Sequence, residues 1–292
     1  MLTKERMSLK IAILGDVHSA FDARDVVYFN ASEYAAVLCV GDLPGLRHSR
    51  AYDVARTMSN VKKPFFLMPG NHDATTLNQL LAELGGVKPL MRLGGRGQAE
   101  RVQRLRGALG QGDVVGYSSH SLSDDVGLIA ARPHAMGQTL TFATYLEEVF
   151  NVATMEESEE RLKELVSECP HQRLVFLGHN GPTGLGGEPT DMWGCDFKSG
   201  GGDWGDPDLR SAIEYAKSLG KEVLAVVAGH MHQVTKQGVR RQWCCQKEGV
   251  WYVNAAHVPR IFKTEGVRFH HHVCLTIGDH GAKVEEQLVE MN

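Results

Sequence analysis

The sequence predicts an α/β fold with a largely buried sheet. Short apolar runs alternate with segments of helical periodicity through the first third of the chain, and glycines bound the runs. Each run is followed by a residue able to bind a metal. Sites in open α/β sheets form at the C-terminal ends of strands, so this recurrence points to function as well as packing.

Lys10–Leu14 reads as a first strand, ending in Gly15-Asp16, and Asp22–Asn30 as a helix. Ala35–Val40 is a second strand ending in Gly41-Asp42, followed by a helix over Ser49–Ser59. Pro64–Met68 is a third, ending in Pro69-Gly70-Asn71-His72-Asp73, with Thr75–Leu84 helical. The stretch 85–125 is rich in Gly and Arg and takes no assignment. Val126–Ala131 is a strand ending at Arg132-Pro133. Thr139–Cys169 has helical composition with a break near Asn151–Thr154, and Glu156–Glu168 is amphipathic and surface-facing. Arg173–Leu177 is a strand ending in Gly178-His179. A long Gly-rich loop, 181–206, precedes a helix with Asp206 as N-cap and Pro207 at its first position, stopped by Gly220. Glu222–Ala228 is a strand ending in Gly229-His230-Met231-His232. Beyond it Val250–Asn254, His271–Ile277 and Ala282–Leu288 are β-like. With no repeat and no linker, residues 1–292 are expected to form a single domain with Gly-rich insertions near 85–125 and 181–206.

Composition narrows the class. Hydrophobic residues make up 42% and charged residues 23%, near the globular averages, over 292 residues. A net charge of −4 gives no general attraction to nucleic acid or to an anionic membrane, and a nuclease with a basic groove is disfavoured. No run of apolar residues is long enough to span a bilayer, and Met1–Lys10 has no apolar core of a secretory signal, so no membrane partner is expected. The six cysteines show no C-x-x-C spacing, which fits a reduced, cytoplasmic protein.

The chemistry concentrates in five pieces: Asp16-Val17-His18, Gly41-Asp42, Gly70-Asn71-His72-Asp73, Gly178-His179 and Gly229-His230-Met231-His232. Asp-x-His and His-x-His each turn two donors to one side of an extended segment. The donors are oxygens and imidazoles, a mixture that suits Mn, Fe, Zn or Ni better than Ca. Asp-x-His or Gly-Asp alone is weak evidence; all five in order, each after an apolar run, is a specific signal.

This ordered set resembles the calcineurin-like metallophosphoesterase family, whose pattern is D-x-H, G-D, G-N-H-D/E, G-H and G-H-x-H; the resemblance runs from Asp16 to His232. It implies a four-layer α/β/β/α sandwich of two mixed sheets flanked by helices. It also implies two divalent cations, Mn foremost, with Fe, Zn, Co or Ni as alternatives. Asp16, His18 and His232 would hold the first, Asn71, His179 and His230 the second, with Asp42 bridging. His72 would act on the phosphate as general acid or transition-state stabiliser. The expected reaction is hydrolysis of a small phosphomonoester or phosphodiester by a water shared between the cations. A metal-binding scaffold without catalysis is the alternative; it should lack some ligands or His72, and all are present. Ser19 departs from the family, where glycine commonly follows D-x-H, which affects loop shape. Arg132-Pro133, Gly201-Gly202-Asp203-Trp204 and Asn254-Ala255-Ala256 are similar to segments of one subgroup without a settled substrate.

Five further residues are candidates for touching substrate. Arg47, Arg132 and Arg260 could reach phosphate or could pair with carboxylates. Trp204 could stack on a ring or pin its loop, and Asn180 could orient His179. Asp73 is expected to cap the helix that follows it. The tract His270-His271-His272 is expected in a partly exposed strand, its side chains alternating and so not converging on one metal.

Overall fold

The computed structural model describes residues 8–45 and 49–291. The first three strands, β1 (Leu9–Leu14), β2 (Ala36–Cys39) and β3 (Phe65–Leu67), pair in parallel, with Ile11 opposite Ala36 and Val37 opposite Phe65. Helices α1 (Ala23–Ala31) and α2 (Arg50–Met58) make the crossovers. Asp22 caps α1 in a reciprocal box with Asp25, which explains where that helix begins.

The unassigned stretch 85–125 is mostly ordered secondary structure. After α3 (Leu77–Gly85) come α4 (Lys88–Gly95), α5 (Gln98–Leu109), and the short strands β4 (Asp113–Val114) and β5 (Ser118–Ser121). In α5 the buried Val102, Leu105 and Leu109 recur at helical spacing, but arginines and glycines dilute the pattern. The chain continues through β6 (Val126–Ala130), α6 (Ala143–Phe150), α7 (Met155–Glu168), β7 (Arg173–Leu177), α8 (Pro207–Ser218) and β8 (Glu222–Ala228). The expected helix break falls between α6 and α7, where Thr154 caps α7. Asp206 stands at the N-cap of α8 but its side chain makes no capping bond; Arg132, Asn180 and the Gly137 N–H take its carboxylate instead.

The remaining strands are β9 (Cys244–Lys247), β10 (Val250–Asn254), β11 (Ile261–Thr264), β12 (Val267–Gly278) and β13 (Gly281–Glu290). Among the described residues the strands form two mixed sheets. One has the order β12-β1-β2-β3-β4, with β13 and β11 also on β12; the other runs β5-β6-β7-β8-β10-β9. On β12, β11 pairs with Val267–His270 and β1 with Val273–Ile277 along one edge, while β13 fills the other.

The sheets stack through Ile11, Ile13, Leu38 and Phe66 of the first against Leu128, Val175, Leu177 and Val227 of the second. Alternate residues, such as Leu14, Cys39, Leu174 and Phe176, face the helices. Both faces are covered, which is why the strands read as unbroken apolar runs. The result is the four-layer α/β/β/α sandwich.

The histidine tract differs from expectation. His270, His271 and His272 are all 1% exposed, because β12 is an interior strand. Alternation does hold: His270 and His272 meet Asp25 and Tyr34 on or just after α1, while His271 meets Glu286 of β13 and stacks on His257.

Candidate metal centre

The parallel strands of both sheets end on the same edge, and the five motifs leave from those ends. Two groups of donors form there. Asp16, His18 and His232 offer atoms lying within 4.8 Å of one another, as do Asp42, His179 and His230. Asn71 joins the second group: its Oδ1 is 2.9 Å from both His179 Nε2 and His230 Nδ1.

The backbone fixes each carboxylate through a different motif. Asp16 Oδ1 accepts the His230 N–H at 3.1 Å, and Asp42 Oδ1 accepts the His72 N–H at 2.9 Å. Two glycines make this approach possible. A Cβ on Gly229 would lie 2.3 Å from Asp16 Oδ1, and one on Gly70 2.2 Å from Asp42 Oδ1. His18, Asp42 and His230 adopt left-handed backbone conformations, with φ of 43°, 50° and 67°. Such conformations are costly outside glycine and persist where surrounding contacts impose them. Ser19 is left-handed too, at φ 67°, and its Oγ accepts the Gly45 N–H; a hydroxyl contact thus holds a conformation that glycine adopts freely.

The arrangement fits divalent cations. Asp16 Oδ2 is buried with no hydrogen-bond partner, 3.5 Å from His232 Nε2. His18 Nδ1 lies 3.0 Å from the Pro44 carbonyl and His179 Nδ1 2.7 Å from that of Val40, contacts that put the ring proton on Nδ1 and leave Nε2 a lone pair. The His179 lone pair faces carboxylate and amide groups, with Nε2 2.9 Å from Asn71 Oδ1 and 3.6 Å from Asp42 Oδ2, and His18 Nε2 lies 3.0 Å from His232 Nε2. Converging acceptors repel unless positive charge sits among them. The titration shifts carry the same demand. Burial disfavours a charge on His179, yet Asp42 and Asp16 raise its pKa. Burial likewise opposes the Asp42 carboxylate, but His179, His72 and His18 hold it well below the usual range.

His72 belongs to neither donor group. Its half-buried ring sits edge-on to His18, with centroids 6.0 Å apart. Asp73 does not cap α3; Thr76 does. Asp73 instead accepts the N–H groups of Leu43 and Gly70, joining the second and third motifs, and burial with the neighbouring Asp42 pushes it up to about 7.

The candidate substrate residues are dispersed. Arg132 is 1% exposed and bonded to Asp208, Asp206 and the carbonyls of Gly137 and Thr139. Arg260 is 1% exposed and forks onto Asp25, with further bonds to the carbonyls of Ala20 and His271. Asn180 donates to the Trp204 carbonyl and to Asp206, tying the residue after His179 to the Gly-rich loop. Trp204 is partly exposed and edge-on to Phe197. Arg47 lies outside the described residues.

Four supporting residues carried no signal tied to the metals. His134 donates from Nδ1 to the Gly70 carbonyl, and Trp193 Nε1 donates to that of Gly229. Arg241 Nε reaches the His232 carbonyl, and Asn254 Nδ2 that of Met231. Only the resemblance of Asn254-Ala255-Ala256 to a subgroup marked one of them in advance.

The calcineurin-like phosphoesterase family model matches residues 9–234, more than half of the chain, and spans all five motifs. The chain belongs to that family. As a calcineurin-like phosphoesterase it shares its fold with solved structures of low identity. One crystal structure aligns over 97% of this chain and 99% of its own, at 12% identity and a TM-score of 0.51. A structure of PhoD aligns over 99% of this chain and 72% of its own, at 10% identity and a TM-score of 0.52. No curated protein matches the chain. Family membership and the two donor groups together make this a metal-binding phosphoesterase.

Proposed function

We propose that the protein is a binuclear metal-dependent hydrolase of a small phosphomonoester or phosphodiester. The observation that carries the reading is the pair of adjacent donor groups, Asp16, His18 and His232 beside Asp42, His179 and His230. In this reading Asp16, His18 and His232 would hold one cation and Asn71, His179 and His230 the other, with Asp42 as the carboxylate available to both. Manganese is the first choice, and Fe, Zn, Co or Ni also suit the mixed oxygen and nitrogen donors. Such a pair supplies an activated water and neutralises charge on the phosphoryl oxygens.

The chain's own groups do the rest. The backbone N–H groups of His72 and His230 keep Asp42 and Asp16 turned inward, so each carboxylate presents its other oxygen. Pro44 and Val40 fix the rings of His18 and His179 through their carbonyls. The His72 ring gives a proton to the leaving oxygen. Trp204 is partly exposed and is retained as a substrate contact, whereas Asn180, Arg132 and Arg260 hold the loops and sheet behind the centre.

The family match ends at residue 234, yet β12 returns to pair with β1, which supports one domain over 1–292. All six cysteines are free, which supports a reducing, cytoplasmic setting.

The test is turnover of an aryl phosphate and a bis-aryl phosphate by protein loaded in turn with Mn, Fe, Zn, Co and Ni. Hydrolysis abolished by chelator is the expected result. Absence of turnover with every metal, in protein that binds two equivalents, would leave a metal-binding scaffold.

A further inference from the structure

The helices that follow the third motif carry a surface the hydrolase reading does not use. Leu77, Leu81, Leu84, Val87, Leu90 and Leu93 are each between 46% and 65% exposed. In α3, Leu77, Leu81 and Leu84 are spaced four and three residues apart and so share one face. An apolar surface of this kind on a water-soluble fold marks an interaction site more often than chance.

Charge selects the partner. Lys88, Arg92 and Arg96 are exposed within the same hairpin. The one carboxylate between Leu77 and Gly97, Glu83, is buried and bonded to the Phe142 N–H. The hairpin is therefore cationic and apolar on a chain whose net charge is −4. A two-fold pairing with a second copy would set these cations against one another. An anionic bilayer satisfies both features: leucines enter the acyl boundary while Lys and Arg stems lie along it and their heads reach lipid phosphates. Next to the hairpin lies a cavity of about 680 Å³, lined by Lys88, Pro89, Met91, Arg92, Leu140 and Glu147 among others.

We infer that the α3–α4 hairpin docks the protein peripherally on an anionic phospholipid surface. No helix among the described residues is long and apolar enough to cross a membrane, so the contact is interfacial; the expectation of no membrane partner, read from net charge and spanning length over the whole chain, does not cover a local cationic and apolar hairpin. Thr75 Oγ1 donates to the Asn71 carbonyl at 2.8 Å, and α3 begins at Leu77, so the docking hairpin is joined directly to the third motif.

Co-sedimentation of the full chain tests this, with vesicles of equal parts phosphatidylglycerol and phosphatidylcholine against pure phosphatidylcholine. The mixed vesicles should bind the protein about tenfold or more tightly than the neutral ones, and added salt should weaken binding. Leu81→Ser with Leu84→Ser, and separately Lys88→Glu with Arg92→Glu, should each reduce binding about tenfold. These side chains are exposed, so circular dichroism should match the wild type. Protein that stays in the supernatant with mixed vesicles, or variants that bind as the wild type does, would overturn the inference. So would a concentration-dependent dimer in sedimentation velocity that Leu81→Ser with Leu84→Ser dissolves, since a second copy would then own this face.

Discussion

The backbone N–H of His230 donates to Asp16 Oδ1 at 3.1 Å, across 214 residues of sequence. This single bond joins the first and last motifs and the two sheets that carry them. It leaves Asp16 Oδ2 buried, without a hydrogen-bond partner and near His232. Gly229 permits it, since a Cβ there would occupy space 2.3 Å from the same oxygen.

Gly229→Ala should therefore weaken the first metal more than the second. Groups that orient ligands are typically worth about 10–100-fold in metal affinity. Calorimetric titration with Mn should show one site weakened by that order and the other near its wild-type value. Equal weakening of both would contradict separate sites.

Asp42→Asn should lower affinity at both sites and abolish turnover. The amide can still accept the His72 N–H that Asp42 Oδ1 accepts at 2.9 Å, but it lacks the charge that faces His179. Metal content after gel filtration is the readout, and two retained equivalents would rule out a bridging role.

His72→Ala should leave both metals in place and slow hydrolysis about 10²–10⁴-fold for poor leaving groups. Activated aryl esters, which need no proton, should be affected much less. An equal loss on both substrates would point to positioning by the ring rather than proton transfer.

Arg132→Ala should destabilise the fold by about 3–5 kcal/mol, the usual cost of removing one partner from a buried ion pair. The guanidinium bonds Asp208 Oδ2 at 2.8 Å and Asp206 Oδ1 at 3.2 Å, all three side chains being nearly inaccessible. Urea unfolding measures this; a loss below about 1 kcal/mol, the range of an exposed pair, would contradict it.

The pH dependence of stability should include a contribution from His272. Burial first, and the nearby Arg260 charge second, hold its pKa down to about 3. Between about pH 6.5 and 3 the unfolded chain binds a proton there that the folded chain does not, so stability falls as pH falls. Gln at this position can still bond the Tyr34 hydroxyl, which lies 2.8 Å from His272 Nε2. His272→Gln should reduce the slope by about 1.4 kcal/mol per pH unit across that window. An unchanged slope would mean that the imidazole is protonated in the folded protein.

The elements flanking the site were legible because their cues are local. Arg173–Leu177 and Glu222–Ala228 are strands with the bounds read from the sequence, each an apolar run stopped by glycine. In α4 and α5 the same cues fail: Gly94 and Gly95 stand inside one helix, and arginines separate the apolar positions of the other. For Asp73 the cue misleads. An acid just before a helix is a normal cap, yet the Leu43 and Gly70 N–H groups compete for it and win.

The sequence by itself determined the α/β class, the strand ends and the set of donors that leave from them, since periodicity and glycine punctuation act over a few residues. Only the tertiary structure decided what each polar group meets. It buried Arg132 and Arg260 against carboxylates, enclosed the three consecutive histidines within a sheet, and chose which oxygen of Asp16 stays without a hydrogen bond. Those outcomes depend on partners as far apart as Asp25 and His270, 245 residues distant in the chain. Burial removes water as an alternative partner, so the fold as a whole, rather than local pattern, fixes each pairing.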